Sequence, residues 1–203
     1  MRTRPLPASL LLIVLAALFI PAPASAGPEL TFSLGAMIGD SLVDVLQVRP
    51  DNLTEGFQNA PIFAGRAGWS AFPFAIEGSL SYSPSAVTIS GVGSLDASLV
   101  YAEAEVQILI LPGPIAPFVG GGIGIHSIGL RSLDVPRETT VGYTLGGGLK
   151  AAFGTLGLRV DLRDHITPLR VADLGTEFLQ VLGIVEDTTI HNVELSGGIT
   201  IRF

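Results

Sequence analysis

The chain contains no cysteine. That absence excludes disulfides, Cys-ligated metals and the lipoprotein route, which lipidates a Cys. Charge is also scarce: 14% of residues are charged against 48% hydrophobic, a balance unusual for a soluble domain. Yet beyond residue 26 no stretch approaches the roughly 18 consecutive apolar residues of a spanning helix. The apolar content is therefore dispersed in short pieces, which excludes helical membrane spans. Positive charge is the scarcer sign, with 11 Lys and Arg against 18 Asp and Glu. So acidic a chain would be repelled by phosphates, and no nucleic-acid partner is expected.

The N-terminus has a different composition. Arg2 and Arg4 supply positive charge, and Leu10–Ile20 runs for 11 residues without a polar side chain. Pro21-Ala22-Pro23 breaks the run, and Ala24-Ser25-Ala26 places small residues where a signal peptidase reads. This is the three-part secretory signal, too short for a spanning helix, which needs about 20 residues. The reading is a signal peptide over residues 1–26, cleaved after Ala26 with Ala24 and Ala26 as the cleavage determinants, and one domain over 27–203. Loss of Arg2 and Arg4 takes the formal net charge from −7 to −9.

Within 27–203, period-two alternation recurs, as expected of strands with two unlike faces. The clearest case is 97–110. Val100, Ala102, Ala104, Val106, Ile108 and Ile110 share one face, and Tyr101, Glu103, Glu105 and Gln107 share the other. A helix would scatter both sets, whereas a strand separates them. The same pattern occurs over 29–39, 62–69, 73–82, 117–127, 140–151, 155–163 and 190–203. Eight such segments predict an all-β fold, an eight-stranded antiparallel transmembrane up-and-down β-barrel with lipid outside and polar residues inside. Short turns are expected near Ser70–Pro73, Pro112–Pro117 and Phe153–Thr155, and longer links over about 40–61, 83–96, 128–139 and 164–189. Short turns belong to the periplasmic side and long loops to the outside. Val171, Leu174, Phe178, Val181 and Val185 are spaced for a short amphipathic helix in the last link.

These segments resemble the OmpA-like eight-stranded outer-membrane barrels. The likeness is carried by Gly65-Arg66-Ala67-Gly68, Phe74-Ala75-Ile76-Glu77-Gly78, the run Pro117 to Gly124, the run Leu156 to Arg163, and the terminal strand Val193 to Phe203. An alternating terminal strand ending in Phe203 looks like the assembly signal read by the barrel-insertion machinery. The resemblance implies passage with periplasmic chaperones and residence among outer-membrane lipids and lipopolysaccharide, as a monomer. The family's namesake carries a further peptidoglycan-binding domain. The sequence stops at Phe203, so that anchoring is not carried over.

The polar faces gather Arg66, Lys150, Arg159, Arg163 and Arg202 against Glu77, Glu103, Glu105, Asp161 and Glu194. Five charges of each sign suit a narrow interior, where an uncompensated charge is costly. An eight-stranded barrel is just wide enough for side chains to fill. These ten residues are read as a packed lumen ion-pair network, with Arg66 and Glu77 as a candidate pair.

Other signals receive plainer readings. Gly120-Gly121-Gly122-Ile123-Gly124 lies within a strand pattern and opens no βαβ unit, so it reads as space for bulky lumen side chains and not as a phosphate loop. Asn52-Leu53-Thr54 is a chance glycosylation match. His126, His165 and His191 lack metal-ligand spacing and read as ordinary polar residues, so no metal and no cofactor are expected. His126 and Ser127 are neighbours, but adjacent strand residues point to opposite faces. The deacylase-type spacing of two is absent, and no catalytic residue is assigned. Loop carboxylates are Asp40, Asp44, Asp51, Glu55, Asp96, Asp134, Glu138, Asp164, Asp173, Glu177, Glu186 and Asp187. They read as a solvated rim, with divalent-cation binding as the alternative. The expectation is a non-enzymatic outer-membrane barrel that supports membrane integrity or presents loops for binding. The alternatives are a lipid-modifying hydrolase and a narrow gated ion channel.

Overall fold

The computed structural model describes residues 27–39, 56–57, 59–89, 93–130, 136–169 and 188–203. Among the described residues nine strands run β1 Gly27–Gly39, β2 Gly56–Phe57, β3 Ala60–Ala71, β4 Phe74–Ile89, β5 Gly93–Leu109, β6 Ile115–Leu130, β7 Glu138–Phe153, β8 Leu156–Leu169 and β9 Thr188–Arg202. Each long strand pairs antiparallel with its sequence neighbour, β1 pairs with β9, and β4 pairs with β5. Eight strands thus close an up-and-down barrel, and the two residues of β2 add to the outer end of β4.

Closure follows from the environment the side chains demand. A sheet edge exposed to lipid would leave backbone groups without partners, and closure removes it. The outward faces carry Phe32, Leu34, Phe63, Ile76, Leu80, Val106, Ile123, Leu145, Leu158, Val160 and Ile199, all about half exposed. The inward positions that alternate with them are buried and mostly polar. Trp69, Phe72, Phe74, Phe153 and Phe203 cluster at the short-turn end as exposed aromatics, the composition of an interfacial girdle.

The short turns fall at Phe72–Pro73, between Leu109 and Ile115, and at Gly154–Thr155. Gly154 takes φ of 69°, the left-handed conformation that a two-residue hairpin requires. The Phe203 amide donates to the Pro28 carbonyl at 3.1 Å and fastens the chain's last residue to β1.

At the other end the strands are longer than the sequence indicates. The 83–96 link is largely strand, because β4 and β5 stay in register from Phe74↔Ile108 to Ile89↔Gly93. Pairing there continues past the apolar belt, so the outward side chains need no hydrophobic alternation. β6 extends to Leu130 and β7 begins at Glu138, both inside the link expected over 128–139. Asp96, Glu138 and Asp164, expected in loops, lie in β5, β7 and β8. The helix expected in the last link, Asn52-Leu53-Thr54 and the remaining loop carboxylates lie outside the described residues.

Candidate functional site: the barrel lumen

Inward side chains form layers along the barrel axis. Nearest the short turns, Lys150 on β7 pairs with Glu29 on β1, and Ser70 on β3 donates to Glu29 at 2.8 Å. The Phe118 ring lies beneath this layer, with Lys150 Nζ at 5.4 Å and Arg159 Cζ at 4.9 Å from its centroid. Both contacts have cation–π geometry.

The middle layer is an arginine–carboxylate network. Arg159 donates to Asp161 from Nε at 2.9 and 3.0 Å, and from Nη2 to Glu77 at 3.1 Å. Its Nη1 closes a second contact to Glu77. Arg163 reaches Glu77 at 2.8 Å and Asp161 at 3.2 Å, and pairs with Glu105. Gln107 donates to Glu105 and Glu77 at 3.0 and 3.2 Å. Arg66 donates to Glu194 and to Ser33, both at 2.5 Å. The expected Arg66–Glu77 contact is longer, 3.9 Å. Charged groups this deep are held by being paired and hydrogen-bonded at once.

The glycines of β6 and β7 make this filling possible. A Cβ at Gly122 would lie 2.4 Å from the Ala104 carbonyl oxygen and 2.7 Å from Glu105 Cγ. At Gly124 it would meet Glu103 Cγ at 2.7 Å, and at Gly146 it would meet Arg163 Cγ at 3.0 Å. Bare positions on one strand thus receive the long side chains of the next.

The third layer was not legible in the sequence as a unit. Glu103 on β5 receives His126 Nε2 at 3.0 Å, His165 Nδ1 at 2.9 Å and the Thr144 hydroxyl at 2.6 Å, all on Oε1. The far nitrogen of His165 meets Glu194 at 3.1 Å, and that of His126 meets the Thr167 hydroxyl at 2.7 Å. Tyr101 stacks on His165 with centroids 4.3 Å apart and presents its edge to His126 at 4.7 Å. Asn192 donates to the Tyr101 hydroxyl at 3.0 Å. A Cβ at Gly142 would sit 2.2 Å from His126 Nδ1, so the ring occupies the space that glycine leaves. His126 and His165 are therefore not isolated polar residues. Spacing along the chain cannot reveal this, because β6 and β8 meet only across the lumen. Toward the loop end, Met37, Ile62, Leu99, Ile128, Leu169 and Ile190 form a buried apolar layer above the histidines.

Nine of the ten residues read as the network make ion-pair or hydrogen-bond contacts in the lumen, and Arg202, half-buried at the end of β9, is itself engaged at the short-turn mouth that it lines with Glu29 and Lys150. Glu29 joins them from the start of β1, on the inward face it shares with Thr31 and Ser33. With it, six carboxylates among the described residues (Glu29, Glu77, Glu103, Glu105, Asp161 and Glu194) stand beside the five cations of the expected set, Arg66, Lys150, Arg159, Arg163 and Arg202. His191 lies outside the lumen, exposed and 2.8 Å from Asp164. His126 points inward and Ser127 outward, where Arg137 donates to the serine hydroxyl at 3.1 Å. The two cannot act as base and nucleophile on one substrate.

A closed eight-stranded antiparallel barrel with an apolar exterior and a side-chain-filled interior has the fold of the eight-stranded outer-membrane barrels. Among solved structures, the chain is similar to Neisserial surface protein A, with a TM-score of 0.60, 15% identity, and coverage of 88% of this chain and 99% of that one. It also matches the N-terminal β-barrel domain of Pseudomonas aeruginosa OprF (TM-score 0.43, 13% identity, 88% and 100% covered). A third match is Ail, the attachment invasion locus protein of Yersinia pestis (TM-score 0.44, 13% identity, 87% and 100% covered). At such identities the likeness is one of fold. No family model and no curated protein matches the sequence.

Proposed function

We propose that the chain is a non-enzymatic barrel of the bacterial outer membrane that supports membrane integrity or presents its outer loops for binding. In this reading residues 1–26 direct export and are removed after Ala26. The barrel-insertion machinery reads the strand ending in Phe203, periplasmic chaperones escort the chain, and the monomer sits among lipid and lipopolysaccharide.

One observation carries the reading. The apolar belt runs around the closed barrel, while the interior is filled by ion pairs capped by apolar side chains. Such a body offers lipid a continuous surface and offers solutes no wide aqueous path. The opposed directions of His126 and Ser127 further disfavour hydrolysis at that pair.

Membrane fractionation tests the placement, and recovery in the inner membrane or the soluble periplasm would refute it. Mass spectrometry of lipid A and phospholipids, with and without the protein, tests the absence of lipid chemistry. An unchanged lipid profile is expected, and a new deacylated species would overturn the non-enzymatic reading.

A further inference from the structure

We propose that His126, His165 and Glu103 form a transition-metal site inside the barrel, suited to Zn²⁺ or a cation of similar preference. Their ligand atoms all lie within 4.8 Å of one another, and all three residues are buried. The donor set, two imidazoles and a carboxylate, is one that Zn²⁺ takes in tetrahedral sites.

The spacing fits. With metal–ligand bonds of about 2.0–2.2 Å, neighbouring ligands of a tetrahedral ion stand about 3.3 Å apart. Glu103 Oε1 stands 3.0 Å from His126 Nε2 and 2.9 Å from His165 Nδ1. Entry of the ion requires these two contacts to widen by a few tenths of an ångström and the two imidazole nitrogens, which stand within 4.8 Å of each other, to draw together by up to about 1.5 Å. The second carboxylate oxygen supplies an independent pointer. Glu103 Oε2 is buried with no hydrogen-bond partner among the described residues, and the side chain that carries it is wholly inaccessible. A buried carboxylate oxygen without a donor is costly, and a cation beside it removes the cost.

The outer contacts match those of a built site. Each imidazole turns one nitrogen to Glu103 and has the other held: His165 Nε2 by Glu194 at 3.1 Å, His126 Nδ1 by Thr167 at 2.7 Å. A carboxylate behind a histidine fixes the ring and makes it a stronger ligand. Tyr101, stacked on His165, restrains the ring plane.

Because the lumen is capped, loading is done during folding. The full barrel is unfolded in urea with chelator, refolded in detergent with Co²⁺ or Zn²⁺ alone, and passed through a chelating column. The expected result is close to one equivalent of retained metal. X-ray absorption should then show two imidazole nitrogens and a carboxylate oxygen at about 2.0–2.2 Å. Glu103→Gln and His165→Gln, refolded to the heat-modifiable form, are expected to retain at least tenfold less. Folded wild-type protein holding under a tenth of an equivalent, or a metal shell of oxygens only, would overturn the site. If a variant does not fold, the wild-type stoichiometry and spectrum alone decide.

Discussion

Arg159 is held by both oxygens of Asp161 and by Glu77, in a place where water cannot replace any of them. Removing it would leave two carboxylates short of their donor. Arg159→Met is therefore expected to destabilise the barrel by roughly 3–5 kcal/mol, as measured for other broken buried pairs, read as a lowered urea midpoint in detergent. A change below about 1 kcal/mol would show that the network relaxes around the loss. Glycine matters at the same scale. Gly142→Val should expel the His126 ring, since even a Cβ there lies 2.2 Å from Nδ1. Loss of the folded band on unboiled gels would report it. The inward direction of Arg159 was legible from alternation alone. Its partners were not, because contacts across the lumen depend on strand tilt and register, which alternation does not encode. Glu29 obeys the same alternation, two residues before Thr31 on the polar face of 29–39, so its inward direction was legible too. The histidine–carboxylate cluster escaped because its members come from β5, β6 and β8.

At the scale of the strand, each element has a lipid stage and an aqueous stage. Leu80 lies on the outward face of β4, within the apolar belt, whereas Ser94 lies near the loop-side start of β5. Leu80→Lys is expected to cost about 2–4 kcal/mol of folding into vesicles, and Ser94→Lys no more than about 1 kcal/mol, following the depth dependence of lipid-facing lysine. Equal penalties would contradict the placement of the belt. All eight long strands were legible, because lipid outside and charge inside impose a strict two-residue period. The strand ends beyond the belt were not. Ser83-Pro84-Ser85 reads as a break, yet its backbone stays paired with Ala97, Ser98 and Leu99 in water. At the terminal element, deletion of Phe203 is expected to lower the yield of assembled barrel. An unchanged yield would count against its role as an assembly signal.

The whole molecule should behave as one closed object. It is expected to migrate differently on SDS gels before and after boiling, because a closed barrel resists detergent until heated. Planar bilayers containing it should show no discrete conductance, since the middle of the lumen is occupied and its loop end is capped by Met37, Ile62 and Leu99. The Arg66–Glu194 pair bears on closure too. Arg66 belongs to β3 and Glu194 to β9, with β1 between them. The guanidinium therefore reaches over β1 and ties together the strands on its two sides, touching Ser33 of β1 as it passes. The β1–β9 junction is latched from inside as well as zipped along its backbone. Prising that junction apart would have to separate opposite charges in a buried interior, so the seam between β1 and β9 is held by charge as well as by backbone pairing.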